Sequence, residues 1–147
     1  MKYLSFLFLS LLLISCKTYS DDDLVTFEQQ INNYIKKNHL KCNKTESGIY
    51  YKIEKEGTGD FIQYTDNVSF TYRGELLNGT VFDNQKTPIS FNVKELIAGW
   101  KEILLENKPG AKIFMIIPPS LGYGDNDLDD IPKNSVLVFE MEIVSAN

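Results

Sequence analysis

The chain has 147 residues, 43% hydrophobic and 24% charged, which is the balance of a globular protein, and at this length one domain is expected besides the N-terminal segment. Its formal charge is −5, and no block of lysines or arginines stands out against that acidic balance. That argues against nucleic acid as a partner, because binding a phosphate backbone takes a basic footprint.

Residues 1–15 read as a signal peptide. Lys2 supplies positive charge, and Leu4 to Ile14 is almost wholly apolar. That length suits a signal-peptide core and is too short to cross a bilayer as a helix. The run closes on Leu13-Ile14-Ser15-Cys16. This tetrapeptide resembles the bacterial lipobox. The resemblance implies a lipid on Cys16 and an anchor in the bacterial cell envelope, with the protein facing the periplasm or the cell surface. The competing reading is an ordinary secretory signal with an incidental cysteine. With Cys16 acylated, Cys42 has no partner and a disulfide framework is excluded.

Residues 16–47 then hold the lipidated N-terminus, a tether and an amphipathic helix. Lys17 to Ser20 is the tether. Leu24, Phe27, Ile31, Tyr34 and Ile35 recur at steps of three or four, which predicts a helix ending near Asn38. Asp21 to Asp23 suit its positive N-terminal end. The helix could pack on the domain, pair with a second copy, or act as a stiff spacer. Packing or spacing is favoured, because one such helix is short for a stable dimer. His39, the only histidine, reads as a solvated helix-end residue.

Residues 48–147 carry the main domain. Ile49 to Ile53 reads as a strand, Gly57-Thr58-Gly59 as a loop, and the alternating Val68 to Arg73 as a half-buried strand. Asn78-Gly79, between Glu75-Leu76-Leu77 and Thr80-Val81-Phe82, predicts a two-residue hairpin. In a strict two-residue hairpin, Asp83 rather than Phe82 shares a face with Tyr72, so for both to line one pocket the strand must bulge or end there. Pro88 to Val93 leads into Glu95 to Leu105, where Leu96, Gly99/Trp100 and Ile103/Leu104 recur at helical spacing. A single helix among strands must lie across a sheet, since neither can bury its apolar face alone. Trp100, the only tryptophan, reads either as plain core or as the floor of a pocket. After the Pro109-Gly110 turn, Ala111 to Ile117 is an apolar strand stopped by Pro118-Pro119. Leu121-Gly122-Tyr123-Gly124 opens a loop holding Asp125, Asp127, Asp129 and Asp130, and Ile131-Pro132 closes it. The last strand, Val136 to Val144, puts Leu137, Phe139, Met141 and Ile143 on one side.

One histidine at a helix end cannot readily build a Ser-His-Asp triad or a histidine metal site. Asp125-Asn126-Asp127-Leu128-Asp129 begins like a calcium loop, but Asp130 stands where that loop needs glycine and Pro132 follows closely, so a solvated acidic loop is the preferred reading. No metal or cofactor is expected. What remains is an aromatic set, Tyr72, Phe82, Phe91, Trp100, Tyr123 and Phe139, with no acid–base team beside it.

The residues around that set carry a resemblance. Val68-Ser69-Phe70-Thr71-Tyr72-Arg73-Gly74, Asn78-Gly79-Thr80-Val81-Phe82-Asp83 and Pro88-Ile89-Ser90-Phe91 are followed by Leu96-Ile97-Ala98-Gly99-Trp100, Pro109-Gly110 and Ile116-Ile117-Pro118-Pro119. Leu121-Gly122-Tyr123-Gly124, Ile131-Pro132 and Leu137-Val138-Phe139-Glu140 complete the series. In this order, over roughly the last hundred residues, they resemble the FK506-binding-protein (FKBP) type of peptidyl-prolyl cis-trans isomerase. The resemblance implies an α+β fold, an antiparallel sheet wrapped around one short α-helix, here preceded by the N-terminal helix. It implies a catalytic set of Tyr72, Asp83, Ile97 and Tyr123, and substrate-binding positions Phe82, Phe91, Leu96, Trp100, Ile131 and Phe139. Proline-containing polypeptides are the implied substrates, FK506-like molecules the implied ligands, and folding of extracytoplasmic proteins the implied task. The alternative is a non-catalytic binding or chaperone module on the same fold. Two departures bear on the pocket's rim: the Tyr123–Ile131 loop is short, acidic and without a histidine or aromatic, and Lys133 stands where many members have a second proline.

Overall fold

The computed structural model describes residues 19–147, so the expected signal peptide and Cys16 lie outside the described residues. In chain order the elements are α1 (Asp21–Lys37), β1 (Asn43–Lys44), β2 (Tyr50–Lys55), β3 (Asn67–Leu76) and β4 (Val81–Asn92), followed by α2 (Ala98–Leu105), β5 (Lys112–Ile117) and β6 (Leu137–Ala146). The six strands form one antiparallel sheet in the order β1-β2-β5-β6-β3-β4. The α+β architecture read from the sequence is the one found.

Each face of the sheet is covered by one helix. Side chains alternate across a strand, so β6 sends Leu137, Phe139, Met141 and Ile143 to one side and Val138 to the other. On the first side they meet Trp100, Ile103 and Leu104 of α2 in the main core. On the second side Phe27 and Ile31 of α1, one turn apart, insert among Tyr50, Phe114, Ile116, Val136 and Val138. Of the three arrangements open to the N-terminal helix, packing on the domain is therefore the one present. Its start is held by a reciprocal cap: the Ser20 hydroxyl accepts from the Asp23 N–H at 3.2 Å, and the Asp23 carboxylate accepts from the Ser20 N–H at 3.1 Å. Acids in the first turn and Lys36 and Lys37 in the last match the helix dipole.

Two local expectations are corrected. The β3–β4 loop has three residues, not two: Leu76 accepts from Gly79 N–H and donates to the Thr80 carbonyl, both at 2.9 Å, leaving Leu77, Asn78 and Gly79 in the turn. Gly79 takes φ +88°, a left-handed conformation that glycine adopts without steric cost, and the Asn78 side chain accepts the Thr80 N–H. The central helix begins at Ala98 rather than at Glu95. Val93–Glu95 form a 3-10 turn capped by the Asn92 side chain, and Leu96 and Ile97 are extended, with ψ 163° and 152°. This extended corner lets the chain leave the sheet edge at β4 and turn across the sheet's face.

Candidate active site

Beyond the hairpin loop, Glu75 faces Val81 and Gly74 faces Asp83, so Phe82 is an extra residue opposite no partner. That bulge is what lets Phe82 and Asp83 both line the cavity with Tyr72, the outcome a strict hairpin forbids. Gly74 makes room for it. A Cβ there would stand 2.5 Å from the Phe82 ring and 2.8 Å from the Phe139 ring.

The cavity occupies about 240 Å³ over α2. Trp100 from α2 is its floor, with the indole edge-on to Tyr72 at 4.9 Å and to Phe139 at 5.0 Å between ring centres. Phe82 meets Phe139 edge-on at 5.6 Å. Both readings of Trp100 hold at once: it is 7% exposed within the main core and it lines the cavity. Its indole N–H is buried without a hydrogen-bond acceptor among the described residues.

The polar groups are few. The Tyr72 hydroxyl donates to Asp83 Oδ2, while Asp83 Oδ1 accepts the Asn84 N–H at 2.7 Å, so both carboxylate oxygens are engaged. Burial, then this hydrogen bond and the Asp83 charge, push the Tyr72 phenol well above its ordinary value. Burial, and after it the Asp83 charge, raises Tyr123 as well. Both phenols are therefore neutral hydrogen-bond donors at physiological pH.

The rim is built by the loop after β5. Asn126 caps the Tyr123 carbonyl through its side chain at 2.7 Å. Leu128 and Ile131 exchange backbone hydrogen bonds of 3.0 and 3.2 Å, which places Asp129-Asp130 at the tip of a two-residue turn. At the loop's base the Asn134 N–H donates to the Gly124 carbonyl at 2.8 Å, and the Tyr19 hydroxyl donates to Asn134 Oδ1 at 2.8 Å. The segment entering α1 thus braces the loop.

Of the expected site residues, Tyr72, Phe82, Asp83, Trp100, Tyr123, Ile131 and Phe139 line this one cavity. Phe91, Leu96 and Ile97 are not in its lining. Phe91 is 44% exposed and stacks on Phe70 at 6.3 Å, which in turn packs on Trp100 at 5.2 Å. Ile97 caps α2, its carbonyl accepting the Lys101 N–H, and its own N–H has no backbone acceptor among the described residues. The sequence reading missed Leu128, Asp129 and Asp130, which line the cavity together with the aromatic residues. The sequence did signal the turn itself, through two apolar residues bracketing a pair of turn-formers, but not its place over the cavity.

A family model, described as FKBP-type peptidyl-prolyl cis-trans isomerase, matches residues 59–144. The chain belongs to that family. Among its curated relatives is the FKBP-type peptidyl-prolyl cis-trans isomerase FkpA of Buchnera aphidicola from Acyrthosiphon pisum, 36% identical over 134 residues, which cover 89% of this chain and 55% of the relative. FkpA of Escherichia coli is 38% identical over 114 residues, 76% of this chain and 42% of that protein. The chain thus spans about half the length of these relatives. The crystal structure of FkpA from Escherichia coli superposes with a TM-score of 0.75 at 33% identity, covering 86% of this chain and 62% of that one. A peptidyl-prolyl cis-trans isomerase from Pseudomonas syringae superposes at 0.74 with 26% identity, over 89% of this chain and 98% of that one.

Proposed function

We propose that this protein is a peptidyl-prolyl cis-trans isomerase that assists the folding of extracytoplasmic proteins. The observation that carries the reading is a tryptophan-floored cavity whose Tyr72, Asp83 and Tyr123 form a hydrogen-bonding wall. Rotation about a peptide bond costs about 18–20 kcal/mol because resonance must be broken. An X–Pro bond prefers trans by only about 0.5–1 kcal/mol, so both isomers serve as substrates. No covalent bond is made, and the site needs no nucleophile. It must bind the twisted amide better than either planar form. Twisting reduces the amide's charge separation, so an apolar cavity favours the twisted form over planar forms that water solvates well. Trp100, Tyr72 and Phe139 would hold the proline ring, with Phe82 and Ile131 as walls, Leu96 packed against the main core and Phe91 supporting the floor through Phe70. Tyr123 and the Ile97 N–H would donate to substrate carbonyls, and Asp83 would orient Tyr72 and a substrate amide. A thousandfold acceleration asks for about 4 kcal/mol of such preference.

We further propose the layout read from the sequence: a signal peptide at 1–15, a lipidated Cys16 with tether and helix to residue 47, and the isomerase domain at 48–147, anchored in the cell envelope. The lipobox-like Leu13-Ile14-Ser15-Cys16 supports this. Cys16→Ser should release the protein from membranes; unchanged partitioning would remove the anchor. The catalytic reading is tested by cis–trans relaxation of short X–Pro peptides, with and without FK506. Acceleration that FK506 suppresses is expected. Peptide binding without acceleration would instead make the chain a binding or chaperone module.

A further inference from the structure

Ten residues line the cavity, and three of them, Asp83, Asp129 and Asp130, carry carboxylates; none carries a positive charge. Asp83 is already engaged by Tyr72 and by the Asn84 N–H. Asp129 and Asp130 are held in no ion pair with the lysines and the arginine of the described residues. Their position is fixed by the backbone, because the paired Leu128 and Ile131 leave only these two residues in the turn. Lys133, the nearest cation in sequence, is exposed and outside the lining. Leu128, 43% exposed, lies in the lining beside them. The same lining holds the rings of Tyr72, Phe82 and Trp100.

An arrangement of two unpaired carboxylates, an exposed leucine and an aromatic wall fits one kind of side chain. A lysine or arginine can lay its aliphatic stem along Leu128 and bring its charged head to Asp129 and Asp130. Aromatic faces add attraction for the same cation. A glutamate in that place would meet like charge from both residues.

Building on the isomerase reading, we propose that the Asp129-Asp130 turn makes this pocket select X–Pro bonds flanked by a basic side chain, so that its substrates are Lys- or Arg-bearing proline segments. The selection is electrostatic and at the rim, so it is strong at low salt. It fades when the screening length drops to about 3 Å in 1 M salt.

The test is a peptide series in which the residue on each side of the proline is in turn Lys, Leu or Glu, applied to the full chain. Two readouts are taken: kcat/KM for isomerisation, and peptide affinity from the fluorescence of Trp100, the only tryptophan. At least on one side of the proline, Lys peptides should exceed Glu peptides by about tenfold at low salt in both readouts, the scale of two partly solvated charge pairs. The ratio should fall towards one in 1 M NaCl and in the Asp129→Asn/Asp130→Asn double variant. Because the ratio is internal to each protein sample, partial unfolding of the variant does not alter it. Equal Lys and Glu affinities in the wild type, or a ratio that survives the double substitution, would overturn the proposal. Binding selectivity without isomerisation would retain it and remove the catalytic reading. Isomerisation without selectivity would do the reverse.

Discussion

Tyr123 offers the cavity one hydroxyl on a ring that is otherwise wall. Tyr123→Phe keeps the ring, so only the hydrogen bond proposed to substrate would be lost. A net hydrogen bond is worth about 0.5–1.5 kcal/mol, and the expected cost is about two- to tenfold in kcat/KM with little change in stability. Complete inactivity of a folded variant would show that the hydroxyl does more than donate one bond. The same phenols set the expected pH behaviour. Tyr72 and Tyr123 are both held above their ordinary value of about 10, so neither changes charge between about pH 6 and 8. A proton-free mechanism then gives nearly constant kcat/KM over that window rather than the bell of acid–base catalysis. At alkaline pH the sign is fixed by linkage. Above about pH 10 the unfolded chain has lost phenol protons that the folded protein keeps, so the stabilisation these groups contribute declines as pH rises through their folded values. Thermal midpoints followed from pH 8 to 11 should fall, and fall less steeply in Tyr72→Phe; identical slopes would sink this assignment.

At the scale of single elements, α1 is bound to the sheet chiefly through Phe27 and Ile31, the latter only 1% exposed. Ile31→Ala should cost about 2–5 kcal/mol, read as a lowered denaturation midpoint. A loss under about 0.5 kcal/mol would mean that the helix is carried by its polar contacts, such as the Glu28 carboxylate accepting from Lys44 and Tyr50 at 2.6 and 3.1 Å. The periodicity of Leu24, Phe27, Ile31 and Tyr34 placed this helix well because one face is apolar and the rest wet. The strands were legible for the same reason. Where legibility failed, short-range pattern and geometry diverged. Leu96 keeps helical spacing with Trp100 yet sits in an extended corner, because the chain must change direction before α2 can begin. Asn78-Gly79 signals a tight hairpin, but whether glycine takes the second or third place in the turn depends on which residues pair beyond it. The bulge at Phe82 was foreseeable only as a condition, from the need to bring Phe82, Asp83 and Tyr72 to one side. Asp129 and Asp130 looked like solvated acids, since nothing local says that their turn folds over the aromatic floor.

On the scale of the whole molecule, the sheet is a shared wall between two apolar layers, α2 with the pocket on one side and α1 on the other. The family match begins at residue 59, after α1, β1 and β2 have all been laid down. Yet β2 pairs along β5, from Tyr50 opposite Ile116 to Lys55 opposite Lys112. A fragment trimmed to the matched region would strip that partner away and turn Lys112-Ile113-Phe114-Met115-Ile116-Ile117 into an edge strand. Five of these six residues are buried in the intact protein, on one face or the other. An unpaired, nearly uncharged edge of this kind is a template for strand addition by other chains. The trimmed fragment should therefore form β-rich oligomers, detectable by light scattering, under conditions where residues 19–147 stay monomeric; a folded, monomeric fragment would contradict this. Residues 19–58, which carry none of the pocket's lining, would then act through β2 as the molecule's built-in guard against self-assembly.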